Sequence, residues 1–196
     1  MHKTFISYHH ANEQGLKDHI IESFGGEFFI DKSVKDGDIN TEISEESIMR
    51  KIREDFLKDS TVTLVLIGLE TFQRPFINSE LQASLWGDHP NGLLAVVTDS
   101  VYDLIFRSVT CSNNQCNCGE ALRQPTSFYE YYLPELVYKN HVLYGTDHYT
   151  DNDVYCTLTK FSTFIKSPEF YIDHAFDKRS KGLSIAKRMS PETPKI

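Results

Sequence analysis

Two hydrophobic periods alternate along the first hundred residues. "KTFISY", residues 3–8, is short and β-prone and predicts a strand. "HANEQGLKDHIIESF", residues 10–24, follows with Leu16, His19, Ile20 and Phe24 on one helical face. The "GG" at 25–26 stops that helix. "EFFIDKS" predicts a second short strand, and "VKDGDIN" a turn-rich loop. Residues 42–58 place Ile43, Ile48, Ile52, Phe56 and Leu57 at helical spacing, with Ser44 and several acids at the start. "TVTLVLIG", 61–68, and "GLLAVVTD", 92–99, are continuous apolar runs, as expected of parallel strands buried on both faces. Between them, "RPFINSELQASLWG", 74–87, repeats Ile77, Leu81 and Leu85 as a helix.

Four β/α alternations imply a parallel sheet with helices on both faces. The expected fold is a flavodoxin-like α/β domain over residues 1–170, with a mostly parallel five-stranded sheet. Residues 100–139 break the rhythm and read as an insertion with some local helix, 133–139 being a candidate. "HVLYG", 141–145, reads as the last strand and "NDVYCTLTKFSTFIK" as the last helix. Residues 171–196 read as a basic, partly flexible C-terminal extension. From Asp177 onward it has six basic residues and two acidic ones. A solvated tail is the plain reading, and a docking arm for a second subunit the alternative.

Composition narrows the function. The chain has 196 residues and a formal net charge of −8, which disfavours nucleic acid and anionic lipid as partners. No apolar run approaches the length of a membrane span. The N-terminus lacks the apolar core of a signal peptide, so a cytoplasmic location is expected. Cys111, Cys116 and Cys118 cluster in "CSNNQCNC", with Cys156 apart. That spacing is not the usual one for zinc, so free thiols in a polar loop are expected and metal is the alternative. Neighbouring His9 and His10 point to different sides of an extended segment, which argues against a shared metal.

The carboxylate of Glu80 raises the chemical question. It lies at the margin of the apolar face of its helix, near the start. A residue there commonly complements the helix dipole. Parallel α/β sheets, however, bind ligands beyond the carboxyl ends of their strands, where strand order reverses. In the order 2-1-3-4-5 that point lies between strands one and three. Ser7, Tyr8 and His9 end the first of these, and the segment after the third delivers Phe76 and Glu80. Glycine fingerprints for dinucleotides and P-loops are absent, as is a hydrolase nucleophile elbow. The acidic pair and strand-three Asp of a phosphoacceptor domain are missing too.

These residues resemble a known family. "KTFISYHHANE" resembles the first box of TIR domains, and "FFIDKSVKDGDIN" sits where they carry a second strand and mobile loop. "STVTLVLIGLETFQRPFINSELQAS" resembles the glutamate-bearing segment of the TIR-like ThsB proteins of Thoeris anti-phage systems. The resemblance is good over about residues 1–100 and loose beyond. It implies cleavage of NAD, as substrate and not cofactor, between nicotinamide and ribose, with Glu80 in the position of the catalytic glutamate. It also implies a trigger from phage infection and an ADP-ribose-derived signal, cyclic in some systems, that activates a separate effector. Position 76 is Phe where the family often has Trp, which keeps a stacking face but loses an N–H donor. Pro75 stiffens the approach to the helix.

One carboxylate suffices in principle. Nicotinamide leaves neutral from a cationic ring, so no general acid is needed, and an ionised Glu80 would stabilise the ribosyl cation. Phe76 would stack on nicotinamide or ribose, and Ser7 and His9 would hold phosphates or hydroxyls. Water would give ADP-ribose and an internal hydroxyl a cyclic product. Escaping hydrolysis calls for a closing loop, with "SVKDGDIN" a candidate, or for a second subunit in a homo-oligomer. The rival reading is a non-catalytic TIR-type interaction module, because one core pattern serves both. Flavin or nucleotide binding without chemistry is a third and weaker one.

Overall fold

The apolar runs become the central strands. The structure is a computed structural model, and it describes residues 2–25, 29–30, 44–110, 121–143 and 149–190. Five strands form one sheet: β1 (Thr4–Ser7), β2 (Phe29–Ile30), β3 (Val62–Ile67), β4 (Gly92–Val97) and β7 (Cys156–Lys160). Their order is β2-β1-β3-β4-β7, and every adjacent pair is parallel. Counted as sheet strands this is 2-1-3-4-5, so the order reverses between β1 and β3. The α/β architecture is the expected one. Every side chain of β3 and β4 is buried, because helices cover both faces.

Strand pleating divides the core. Phe5 packs with Ile48, Met49 and Ile52 of α2 (Glu45–Asp55) and Ala83 of α3 (Pro75–Leu85). Ile6 and Tyr8 point the other way, with Ile20 of α1 (His10–Phe24) and Ile172 of α8 (Pro168–Asp177). Helix α1 begins and ends where its pattern predicts. Ser44 caps α2 by accepting the Ser47 N–H at 3.3 Å. Between Ile77 and Leu85 every residue of α3 is buried, polar ones included, so this helix lies inside the protein.

The second half departs from expectation. Residues 135–141 form helix α6 (Glu135–His141), and 142–143 have no regular structure, so the strand expected at 141–145 does not start there. The last strand is β7, inside the segment read as the last helix. "CTLT" alternates, with Cys156 and Leu158 on one face and Thr157 and Thr159 on the other. A period of two was mistaken for a helical one. Short α7 (Phe161–Phe164) and α8 follow. The region read as an insertion holds α4 (Asp99–Ile105), an antiparallel hairpin of β5 (Phe106–Thr110) with β6 (Ala121–Pro125), α5 (Tyr129–Tyr132) and α6. The boundary placed at residue 170 falls inside α8, whose Ile172 and Ala175 are fully buried on the sheet.

Residues 178–190, expected as solvated tail, pack as a strap. The Met189 N–H donates to Gln82 Oε1 of α3 at 3.3 Å. The Ser190 N–H donates to Glu135 at 2.5 Å, and Lys187 Nζ donates to the Gly87 carbonyl at 2.5 Å. Arg188 stacks 4.9 Å from the ring of Trp86.

The outer edge of β7 is closed by side chains. Asp151 Oδ2 accepts the Leu158 N–H at 3.2 Å, and Arg123 donates to the Leu158 carbonyl at 2.9 Å. Arg123 also pairs with Asp151, which accepts from His141 Nε2 at 3.1 Å, and His141 Nδ1 meets Tyr129 Oη at 2.7 Å. A side-chain network thus occupies the hydrogen-bonding positions a further strand would take.

Candidate active site

The carboxyl ends of β1 and β3 converge on two buried carboxylates. Glu80 lies in the second turn of α3 and is 1% exposed. Ser7, the last residue of β1, donates its hydroxyl to Glu80 Oε2 at 2.5 Å. Residue 7 lies on the α3 side of β1, so the pleat aims this hydroxyl at α3. Both groups are fully enclosed, where a hydrogen bond is worth more than in water.

Glu13 is the second carboxylate, and it is not among the residues expected from the sequence. It lies in the first turn of α1, is 2% exposed, and accepts the His9 N–H at 3.1 Å. Its other oxygen lies against Gly68, just beyond β3, where an added Cβ would sit 2.1 Å from Oε1. The Gly68 N–H in turn donates to Thr71 Oγ1 at 2.8 Å. Burial pushes the Glu13 carboxyl up to about 7, against the lowering effect of the His9 N–H and the Thr71 hydroxyl. The available signal was "HHANE" itself: an acid four residues after the helix cap can turn back onto the cap.

His9 follows Ser7 by two residues and lies beside Glu13. Its Nδ1 is 3.8 Å from Glu13 Oε2, too long for a hydrogen bond, and has no partner among the described residues. The ring is 10% exposed. Burial, then the charge of Arg74, hold its pKa below the ordinary value, which favours neutral imidazole. Arg74 and Glu70 flank this end of the sheet from the segment after β3, 3.7 Å apart, with Asn12 donating to Glu70 at 2.8 Å.

The other expected residues divide. Phe76 lies one turn before Glu80, half-buried against the α2 cluster. Tyr8 faces α1, where its hydroxyl donates to Gln14 at 2.9 Å and its ring lies 4.5 Å from His10. Ser7, His9 and Glu80 therefore share one end of the sheet with Phe76 beside them, and Tyr8 points to the opposite face. Cys111, Cys116, Cys118 and the "SVKDGDIN" loop lie outside the described residues. Among the described residues, no three His, Cys, Asp or Glu are grouped to hold a metal. Cys156 is a free thiol, buried in β7. A cavity of about 450 Å³ lies elsewhere, at the amino end of β7 between Tyr155, Leu143 and Ile185.

A family model described as "Thoeris protein ThsB, TIR-like domain" matches residues 5–103, half of the chain. The chain belongs to that family. No curated protein matches it. The ThsB TIR-like match runs from β1 into α4 and holds Ser7, His9, Glu13 and Glu80, while the β5–β6 hairpin, the closed β7 edge and the strap lie beyond it. Among the described residues of this ThsB-family chain no helix is long and apolar enough to cross a membrane.

Proposed function

We propose that the protein cleaves NAD at the bond between nicotinamide and ribose, with Glu80 as the catalytic carboxylate. One observation carries this reading: Glu80 is buried at the reversal of strand order and takes the Ser7 hydroxyl at 2.5 Å. Ligands of open parallel sheets bind at that point. A carboxylate held in a water-poor site by a fixed donor suits a developing ribosyl cation, since little reorganisation is needed as charge appears. Nicotinamide takes the electron pair of the breaking bond and leaves neutral. Phe76, one turn earlier, offers a ring for stacking on nicotinamide or ribose.

The product is an ADP-ribose-derived signal, cyclic when an internal hydroxyl attacks. It acts on a separate effector, after a phage component triggers synthesis in the cytoplasm. The test incubates purified protein with NAD, alone and with phage-infected lysate, and measures nicotinamide and nucleotide products. Glu80→Gln is expected to abolish nicotinamide release with its melting temperature within about 2 °C, since Gln still accepts from Ser7. Full turnover by that variant removes Glu80 from the mechanism. The reading as a protein-interaction module draws on a different observation. Leu69, Phe128 and Tyr131 are about half exposed, and Tyr131 packs on Phe72 at 4.8 Å. Oligomer formation without nicotinamide release in infected lysate would favour that module.

A further inference from the structure

The site holds more acid–base capacity than cleaving NAD requires. Nicotinamide departs without a proton, so Glu80 alone accounts for breaking the bond. Completing the reaction with water or a sugar hydroxyl is a different task, because the attacking oxygen must lose a proton. Glu13 and His9 are suitably built for it. Glu13 Oε2 is buried, turned back over the end of β1, and 3.8 Å from a buried imidazole nitrogen without a partner among the described residues. An oxygen placed to one side of that gap reaches both atoms at hydrogen-bond distance. Ser7 and His9 are two residues apart on extended backbone, roughly 6.6 Å by strand rise. The Ser7 hydroxyl holds Glu80 and the His9 N–H holds Glu13, so both carboxylates are tied to the carboxyl end of β1.

We propose that Glu13 is the base of this site, taking the proton of the hydroxyl that attacks the ribosyl carbon while His9 Nδ1 holds the same hydroxyl. This role rests on the NAD-cleaving reading. The bond between ribosyl C1′ and nicotinamide nitrogen breaks, with its electron pair going to nicotinamide. The hydroxyl oxygen forms the new bond to C1′, and its proton passes to the Glu13 carboxylate. A base working near neutral pH is most effective when its own pKa lies close by, and burial places Glu13 there. Beyond His9, the charged groups facing Glu13 are Glu70 and Arg74 from the segment after β3, with His10 beside His9. Helix capping alone explains the His9 N–H contact. It does not explain a carboxylate enclosed against Gly68, and glutamine would cap equally well.

The test uses that equivalence and two kinds of nucleophile. Glu13→Gln keeps the acceptor for the His9 N–H and loses the basicity. An added pyridine, such as 3-acetylpyridine, attacks C1′ through a ring nitrogen with no proton to lose. In Glu13→Gln, formation of ADP-ribose and of hydroxyl-closed product is expected to fall about 100-fold or more. Exchange of nicotinamide for the pyridine is expected to stay within about threefold of wild type. Glu80→Gln is expected to lose both. Equal loss of both reactions in Glu13→Gln marks a structural role and overturns the proposal, as does hydrolysis at the wild-type rate. If the Gln variant is unfolded by circular dichroism, Glu13→Asp serves instead, with the same split between reactions expected from its retracted carboxylate. Wild-type protein that neither releases nor exchanges nicotinamide in infected lysate overturns the NAD-cleaving reading and this base with it. A wild type that turns over while Glu13→Gln hydrolyses fully overturns the base alone.

Discussion

Gly92→Ala is expected to destabilise the domain by about 2–2.5 kcal/mol, although alanine is ordinarily the better strand residue. Gly92 opens β4, and α8 crosses directly over it. An added Cβ would meet the Ala175 carbonyl oxygen at 2.2 Å, its carbon at 2.5 Å and the Phe176 nitrogen at 2.9 Å. Ordinary contact begins near 3.4 Å, so a separation of more than an ångström must open between two backbones. Neither can yield cheaply. The Gly92 N–H donates to the Thr61 carbonyl at 2.9 Å and β4 is paired along both sides, while α8 is anchored by fully buried Ile172 and Ala175. Overpacking costs about 1–3 kcal/mol, and backbone on both sides places this case at the top of that range. Relief of glycine's conformational entropy returns only about 0.5–1 kcal/mol. For a domain of this length the net loss lowers the melting temperature by about 4–10 °C in calorimetry. The clashing atoms are backbone, so the double variant Gly92→Ala/Ala175→Gly is expected to stay as unstable as the single one. A single variant melting within about 2 °C of wild type, or higher, would refute the close approach of α8 to β4.

Two further perturbations probe the end of α3 and the closed edge of β7. Arg53 of α2 donates to the carbonyls of Ala83, Ser84, Trp86 and His89 at 2.7–3.3 Å, supplying the cation that the last turn of α3 lacks. Arg53→Met is expected to cost about 3 kcal/mol, and Arg53→Lys less, as read by urea unfolding; an unchanged midpoint in the Met variant would exclude this role. Asp151→Asn leaves the Arg123 guanidinium facing a neutral amide and is expected to cost about 3–5 kcal/mol at pH 7. Burial raises the Asp151 pKa, but hydrogen bonding with His141 and the charges around it, Arg123 among them, outweigh this and hold it well below the carboxylate range. Its contribution is therefore present above the unfolded value near 3.9 and lost as pH falls below it. The gap between wild type and Asp151→Asn in thermal melts should narrow on acidification from pH 5 to pH 3, and a constant gap would contradict the assignment.

The first half of the fold was legible because its signals are local. β3 and β4 are unbroken apolar runs, and α1 ends at its glycine, so the sheet order and the place of Glu80 followed. The second half turns on context. Residues 156–160 are too few to distinguish a strand from the helical run after them, and only burial beside β4 decides. The strap was misread because its lysines and arginines suggested solvent. Their ends instead reach backbone carbonyls and an aromatic ring while Met189 is buried. At the site, Ser7 and Glu80 were legible from strand ends and helix spacing. Glu13 was not, since its importance comes from enclosure against Gly68, which no linear pattern encodes. Tyr8 was grouped with Ser7 by adjacency, and the pleat sends adjacent residues to opposite faces.

The strap has a mechanical consequence. Gln82 is two residues beyond Glu80 on the same buried helix, and it grips the chain at Met189, while Lys187 and Arg188 hold the residues that end that helix. A pull on residues 187–190 is therefore transmitted along this tether to the rod carrying Glu80. Affinity handles belong at the other end of the polypeptide, and clipping it back to residue 177 would unlatch the helix that carries Glu80 from behind without touching Glu80 or Ser7.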